Sequence, residues 1–298
     1  MRVGVLGLGS MGAAIARRLE PTEHELSVWN RSPQPSEEFA GRSVAVAGSP
    51  AELLEASDVC LSTLADGSAV EAVGEQLCDA VPGGEPRTWV EMSTIDVATS
   101  ARIAERTAAA GLGYLRAPVS GNPTVVAAGN LTIITSGSRE VLDRARPVLA
   151  DVGPNLFHVG EAEEARTMKL ALNLMLAAST QMLAEALVMG EASGLERATM
   201  LEVMQASAVG SPFVQYKAGP LIEDDYTSTF SARLLAKDLD LIIASANGSG
   251  VPLPATAAVR QSVQSCISAG MGELDLSALV PLLRRDAGLP GDLPEAPS

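Results

Sequence analysis

The sequence has few cysteines, histidines and aromatic residues, and the shortage of cysteine and histidine excludes several kinds of site. The 298 residues include three cysteines and two histidines. Cys60, Cys78 and Cys266 have neither the spacing of a disulfide framework nor that of a zinc site, and His24 and His158 lie far apart in the chain. We therefore predict no metal site, no disulfide scaffold and no histidine-based catalytic triad.

Positive charge is also scarce, with 21 Lys and Arg against 36 Asp and Glu and a formal net charge of −15. Binding to phosphate backbones needs clustered cations, so we predict no nucleic-acid partner. The N-terminal residues read directly into a folded element and lack the features of a signal peptide. Polar residues interrupt the long apolar segment that follows Glu163, which a lipid-facing helix rarely tolerates. We expect a cytoplasmic protein without a membrane partner.

A glycine-rich segment, GLGSMG, joins an apolar strand-like run to a helix-like run. In this context Gly7 permits a tight turn, Gly9 lets the backbone approach a pyrophosphate, and Gly12 allows close packing of the helix. The helix N terminus then directs NH groups and a positive dipole end at the phosphates. We predict a dinucleotide site. Its predicted pyrophosphate contacts are Gly7, Leu8, Gly9, Ser10, Met11 and Gly12.

The residues after the second predicted strand bear on the choice of cofactor. A chain that binds NAD normally has a carboxylate here for the ribose hydroxyls, but this chain has Asn30, Arg31 and Ser32. A guanidinium can pair with a 2′-phosphate, and the Asn and Ser side chains can add neutral hydrogen bonds. The sequence therefore predicts NADP in preference to NAD.

The chain changes character near its middle. Up to NLFHVG, short apolar runs alternate with helix-like segments, as in a parallel sheet covered by helices. From about Glu161, almost every segment is long, rich in Ala, Leu and Met, and helically spaced. We predict an α/β Rossmann-type domain with a doubly wound, mostly parallel sheet over residues 1–161 and an all-α domain over 162–287. The Pro- and Gly-rich residues 288–298 are expected to be a disordered tail.

The segment from Met168 to Met189 is apolar on every side of a helix, yet Lys169 and Asn173 lie within it one turn apart. With Thr180 they form one polar stripe, which can line a cleft. Judged without other motifs, such a lysine is more simply a side chain that extends to solvent from a helix end.

This helix has more apolar surface than one small helical domain can bury. We therefore predict a homodimer or a higher homo-oligomer that buries this helix between subunits. Met175, Met182 and Met189, seven residues apart, are interpreted as a packed helix seam.

Six motifs in order resemble the β-hydroxyacid dehydrogenase family, which includes 3-hydroxyisobutyrate dehydrogenase and tartronate semialdehyde reductase. The motifs are GLGSMG, STL at residues 62–64, EMSTI from Glu91, APVSG from Ala117, Lys169 with Asn173, and KDL from Lys237. The resemblance covers nearly the whole chain. It implies hydride transfer between a nicotinamide and a small acid that carries a hydroxyl or carbonyl group, in a cleft between the two domains.

The resemblance also implies roles for particular residues. Lys169 would be the general acid/base, because a partly desolvated lysine beside an oxidised nicotinamide gives up its proton more easily. Asn173 would orient the substrate. The implied substrate contacts are Ser120, Gly121 and Asn122, and the implied further cofactor contacts are Leu64, Thr94 and Lys237.

The chain departs from the family pattern where Asn122 and Pro123 replace a glycine, and where acidic residues replace glycines before Lys169. Two alternatives stay open. One is an imine reductase of the same architecture, although that group typically has Asp or Tyr in place of Lys169 and lacks APVSG. The other is a non-catalytic NADP-binding protein. The identity of the hydroxyacid, the reaction direction and the choice between dimer and tetramer also stay open.

Overall fold

The computed structural model describes residues 1–81, 83 and 86–295, and within them the chain forms two compact units. The units are Met1–Leu170 and Ala171–Ser298, so the division falls inside one long helix. Residues 289–295 of the predicted tail have no regular secondary structure, and residues 296–298 lie outside the described part of the chain.

The described residues of the first unit form a nine-stranded sheet. Its strands are β1 (Arg2–Leu6), β2 (Glu25–Trp29), β3 (Val44–Val46), β4 (Val59–Ser62), β5 (Thr88–Glu91), β6 (Gly113–Arg116), β7 (Val119–Ser120), β8 (Thr132–Ser136) and β9 (Asn155–Gly160). The order is β3-β2-β1-β4-β5-β6-β8-β7, with β9 paired to β8. The strands from β3 to β6 are parallel, whereas β8 runs antiparallel to β6 and β7. The predicted doubly wound, mostly parallel sheet is confirmed.

Helices cover both faces of this sheet. They are α1 (Ser10–Leu19), α2 (Gln34–Glu37), α3 (Pro50–Ala56), α4 (Gly67–Asp79), α5 (Val97–Ala110), α6 (Pro123–Ala127), α7 (Arg139–Val152) and the first turns of α8 (Glu164–Ala192). Successive strand residues point to opposite faces. Val5 therefore belongs to a buried cluster with Ile15, whereas Leu6 belongs to a second cluster with Trp89.

The second unit contains the rest of α8 and the helices that follow it. These are α9 (Arg197–Ala206), α10 (Pro212–Ile222), α11 (Ala232–Gly248), α12 (Pro254–Cys266) and α13 (Leu279–Asp286). A buried ion pair ties part of this unit together, because Lys217 Nζ lies 2.6 Å from Asp275 Oδ1. The predicted helical C-terminal region is confirmed.

Helix α8 has 29 residues and is the one described helix that could cross a membrane by length and composition. Core helices of other proteins pass the same test, and 39% of its most apolar window is buried within this chain. Asn173, Thr180 and Gln181 are buried on this helix, and each makes a hydrogen bond within the protein. The bonds of Thr180 and Gln181 lie within α8, whereas Asn173 donates to Asp238 of α11. That contact and the burial of all three side chains support the prediction of a helix that packs against protein.

The methionines of α8 differ from the prediction. Met175, Met182 and Met189 are 62–71% exposed, and Met168 is 43% exposed. Within one chain they are therefore not a packed seam. They instead form an exposed stripe at seven-residue spacing, because the residues that cover the helix lie on its other sides.

Candidate active site

The glycine-rich loop follows β1 directly, and its geometry explains why two of its positions need glycine. Gly7 has φ of 85°, and its NH donates to Trp29 O at 2.9 Å. A Cβ on Gly12 would lie 1.8 Å from Gly7 O, so helix α1 packs against the loop only without a side chain there. By contrast, a Cβ on Gly9 would meet nothing within 4 Å. Gly9 thus borders open space, where the backbone is accessible to a ligand.

The start of α1 suits an anion. The first hydrogen bond of the helix runs from Ala13 NH to Gly9 O at 2.9 Å, so the NH groups of residues 10–12 have no partner within the helix. The N-cap residue Gly9 offers no side chain, and the first turn contains no acidic residue. These NH groups, the positive dipole end and the open space beside Gly9 fit a pyrophosphate.

Asn30 connects the end of β2 to this loop. Its Oδ1 accepts a hydrogen bond from Leu8 NH at 2.8 Å, and its Nδ2 donates to Ser32 O at 2.9 Å. Arg31 and Ser32 are exposed. The Arg31 guanidinium makes no ion pair or hydrogen bond to any residue that the structure describes. It lies two residues beyond Trp29, which pairs in register with Leu6 before the glycine loop.

The loops after β4 and β5 lie at the same edge of the sheet, because all these strands are parallel. Thr63 Oγ1 donates to Gly7 O at 3.3 Å, and Leu64 NH donates to Ser93 Oγ at 2.7 Å. Thr94 follows and is partly buried. The structure therefore brings the predicted residues of the glycine loop, residues 30–32, Leu64 and Thr94 to adjacent strand ends. This is the edge where dinucleotides bind in such sheets.

A buried cluster that the sequence did not predict includes Ser93, the residue before Thr94. Arg166, in the first turn of α8, forms an ion pair with Glu91 at the end of β5, and both side chains are 1% exposed or less. Arg166 Nη1 also donates to Ser93 O at 2.7 Å, and its Nη2 lies 3.2 Å from the Tyr114 hydroxyl. Burial raises the pKa of Tyr114, so its hydroxyl stays protonated.

The APVSG segment forms β7 and the turn that follows it. Asn122 caps the short helix α6, since its Oδ1 accepts from Val125 NH at 3.0 Å, and Pro123 is the first residue of that helix. Helix α6 packs against α1. The two departures from the family pattern thus build a capped helix start after Ser120 and Gly121.

Lys169 is partly buried on α8, three residues after Arg166 and one turn before Asn173. Asn173 is buried, and its Nδ2 donates to Asp238 Oδ2 at 2.5 Å. Lys237 Nζ lies 3.2 Å from Asp238 Oδ1. The two groups form an ion pair, but their angles do not suit a hydrogen bond. Asn173 and Lys237, both predicted as site residues, therefore share a buried carboxylate, Asp238, that was not among the residues predicted from the sequence.

No group of three or more His, Cys, Asp or Glu side chains that could hold a metal occurs in residues 1–81, 83 and 86–295. His24 Nε2 instead lies 3.0 Å from Asp151 Oδ2, and His158 Nδ1 lies 3.3 Å from Thr135 Oγ1.

Both parts of the chain match known protein families. Residues 2–160 match the NAD binding domain of 6-phosphogluconate dehydrogenase, and residues 164–283 match the NAD-binding domain of NADP-dependent 3-hydroxyisobutyrate dehydrogenase. Glyoxylate/succinic semialdehyde reductase 1 of Arabidopsis thaliana is 29% identical over 287 residues, which cover 94% of this chain and 97% of the relative. The uncharacterized oxidoreductase YfjR of Bacillus subtilis is 33% identical over 290 residues, which cover 95% and 100%.

Solved structures agree with these matches. A 3-hydroxyisobutyrate dehydrogenase from Mycobacterium tuberculosis, with L-serine, has a TM-score of 0.85 and 27% identity over 95% of this chain and 99% of its own. Psf3 in complex with NADP+ and 2-OPP has a TM-score of 0.84 and 25% identity over 94% and 99%. An imine reductase from Pseudomonas sp. shares the fold, with a TM-score of 0.61 and 23% identity over 95% and 99%. The chain binds a nicotinamide cofactor and belongs to the β-hydroxyacid dehydrogenase family of NAD(P)-dependent oxidoreductases.

Proposed function

We propose that this protein is an NADP-preferring reductase of a small semialdehyde, or in the reverse direction a dehydrogenase of the matching β-hydroxyacid, with Lys169 as the general acid/base. The observation that carries the proposal is the placement of Lys169 on α8, partly buried and one turn before an asparagine whose amide a buried carboxylate fixes.

The proposed chemistry assigns a separate task to each residue. When bound, NADPH supplies a hydride to the carbonyl carbon of the substrate. Lys169 donates a proton to the carbonyl oxygen as negative charge develops there, and in the oxidative direction it removes the hydroxyl proton. Asn173 orients that oxygen. Ser120 and Gly121 bind the substrate carboxylate, and Asn122 holds the turn through its cap of α6.

Arg31 supports the preference for NADP. It is an exposed cation at the end of β2, no carboxylate occupies residues 30–32, and no described residue neutralises it. A 2′-phosphate would supply a charge-assisted partner there, whereas the hydroxyl of NAD would not. Asn30 contributes by fixing the glycine loop at Leu8 NH.

Relatives with known activity suggest the substrate class. One is a glyoxylate/succinic semialdehyde reductase and another a 3-hydroxyisobutyrate dehydrogenase. The substrates in these names are short molecules that carry one carboxylate and one carbonyl or hydroxyl group, which the proposed carboxylate contacts and Lys169 would recognise. Lys237 is proposed as a further cofactor contact, as the sequence predicts.

We also propose that the protein is a cytoplasmic homodimer or higher homo-oligomer. The methionine stripe of α8 is apolar, exposed and regularly spaced, so a second copy of the helix could pack against it.

The test is to follow the consumption of NADPH with glyoxylate, succinic semialdehyde and other short semialdehydes, then with cyclic imines, and to repeat each assay with NADH. The proposal expects turnover of at least one semialdehyde, with NADPH preferred. Turnover of imines alone would support the imine reductase alternative instead. NADPH binding without turnover of any compound would support the non-catalytic alternative.

A further inference from the structure

We propose that Arg166 and Glu91 are positioning residues that fix the first turn of α8, and with it Lys169, against the loop after β5. The inference rests on the proposed role of Lys169. All the contacts that carry it lie within the first compact unit.

All three nitrogen atoms of the Arg166 guanidinium group donate hydrogen bonds. Its Nε donates to Ser100 Oγ at 3.1 Å, its Nη1 to Ser93 O at 2.7 Å, and its Nη2 to Glu91 and to the Tyr114 hydroxyl. The planar guanidinium fixes the directions of all these donors at once. The first turn of α8 can therefore neither slide nor rotate without breaking several bonds.

Glu91 and Arg166 both bind the backbone of Ser93. Its NH donates to Glu91 Oε1 at 2.7 Å, its carbonyl accepts from Arg166, and its hydroxyl accepts from Leu64 NH. Thr94, a predicted cofactor contact, is the next residue. One buried cluster thus joins the loops after β4 and β5 to the helix that carries Lys169.

A stability role alone is a weak explanation for this cluster. Replacing a buried ion pair by well-packed apolar side chains is often neutral or stabilising, because two charges must otherwise be removed from water. The directional contacts of the pair instead define one position for the helix start. Lys169 follows Arg166 by three residues, less than one helical turn. A displacement of about 1 Å in such a group can lower turnover by about 10²-fold.

The test compares single and paired substitutions. Arg166→Met leaves Glu91 buried without its partner and is expected to lower both the melting temperature and kcat. Arg166→Lys keeps the charge but lacks the planar fork, so kcat should fall at least about tenfold. The apolar pair Glu91→Met with Arg166→Met removes both buried charges but also the partners of the Ser93 NH and carbonyl groups. Its melting temperature should therefore lie between those of Arg166→Met and the unchanged protein, while kcat stays low.

The dissociation constant of NADPH, measured by fluorescence without substrate, is the second readout. It should change clearly less than kcat in Arg166→Lys, since the glycine loop and Arg31, which are proposed to hold the phosphates, are not part of the cluster, although Leu64 and Thr94 adjoin it. Asp58→Asn is the matched control. Asp58 pairs with Arg2 and Arg87 just before β4, at the opposite edge of the sheet. Its loss should lower the melting temperature but not kcat.

Recovery of kcat along with the melting temperature in the apolar pair would overturn the proposal, because the ion pair would then be merely structural. A loss of NADPH affinity equal to the loss of kcat would overturn it as well. The Lys169→Met variant tests the proposed function separately from the Arg166 variants. If that variant keeps its turnover, the lysine is not the general acid/base, whatever the Arg166 variants do.

Discussion

Asn173 Nδ2 lies 2.5 Å from Asp238 Oδ2, and both side chains are buried. An ionised carboxylate only accepts hydrogen bonds, so it must face the NH2 group of the amide. Under the proposed function, the second Nδ2–H of Asn173 would then donate to the carbonyl oxygen of the substrate, and its Oδ1 atom would accept from the hydroxyl of the reduced form.

Loss of Asp238 should therefore disturb the substrate more than the nucleotide. In Asp238→Ala the Asn173 amide loses its fixed orientation, and we expect kcat/KM for the best semialdehyde to fall about 10- to 100-fold, the equivalent of one charge-assisted hydrogen bond. Steady-state kinetics and NADPH titration check this. An unchanged kcat/KM would contradict it. Asp240→Ala, two residues away on the same helix and paired with Arg260, is the control.

Arg31→Ala should weaken NADPH binding and leave NADH binding almost unchanged. Removing a charge-assisted contact to the 2′-phosphate costs about 1.5 to 3 kcal/mol, or roughly 10- to 100-fold in the dissociation constant. Fluorescence titration with both nucleotides measures the effect. Arg139→Ala changes the net charge equally at an exposed residue of the same unit and should affect neither nucleotide. Equal losses for both nucleotides in Arg31→Ala would rule out the assigned contact.

Lys169→Met should lower kcat by about 10² to 10⁴-fold, the usual contribution of a general acid/base. Lys169→Arg should restore little, because a guanidinium keeps its proton at working pH. NADPH affinity should barely change in either variant. Thr167→Ala alters an exposed side chain two residues earlier and serves as the control. Retention of more than about a tenth of turnover would show that the lysine is structural.

The Lys217–Asp275 pair should govern part of the acid stability of the second unit. Burial alone would raise the pKa of Asp275, but the Lys217 ammonium and hydrogen bonds from Lys217 and Ser277 outweigh it and hold that pKa below its ordinary value. A carboxyl group with a lowered folded pKa stabilises the protein above its unfolded pKa of about 3.9, and this contribution disappears as pH falls through the folded value.

Lys217→Met should accordingly lower the free energy of unfolding at neutral pH by about 3 to 5 kcal/mol, because it leaves a buried carboxylate unpaired. The difference from the unchanged protein should shrink below about pH 4 as Asp275 becomes protonated. Urea unfolding at neutral and acidic pH measures both effects. Asp286→Asn, which removes a surface pair with Arg285, should cost no more than about 1 kcal/mol. A difference that grows on acidification would contradict the assignment.

Light scattering at micromolar concentration should find a dimer or larger assembly. Met175→Lys with Met182→Lys places two charges on the exposed stripe of α8 and should shift the protein towards the monomer. Val46→Lys, on the exposed short strand β3, is the control and should leave the assembly intact. A monomeric unchanged protein would refute the prediction.

The sequence predicted local features of the site better than its long-range contacts. The glycine loop was predictable because Gly7, Gly9 and Gly12 act through their own backbone within one turn, and the alternation of short apolar runs predicted the sheet. Strand β3 gave no signal, since it has only three residues. The roles of the predicted site residues remain predictions.

The buried carboxylates could not be predicted in the same way. Arg166 lies 75 residues from Glu91, and Asp238 lies 65 residues from Asn173. Separations this long are not related to the periodicity of a helix or a strand, so no local pattern in the sequence connects the two partners. A weak signal was present, because Arg166 stands near the start of a mostly apolar helix and Glu91 ends an otherwise uncharged strand. Such isolated charges need a partner when buried, but only the fold identifies which one.

The oxidation of the methionine stripe depends on whether another protein surface covers α8. Met168, Met175, Met182 and Met189 follow one another at seven-residue intervals, which is about 10.5 Å along a helix. Peroxide converts an accessible thioether to a polar sulfoxide. In a separated chain all four sulfur atoms would react, whereas a packed partner helix would shield them. If the proposed assembly buries this stripe, sulfoxides formed during transient dissociation would hinder reassociation.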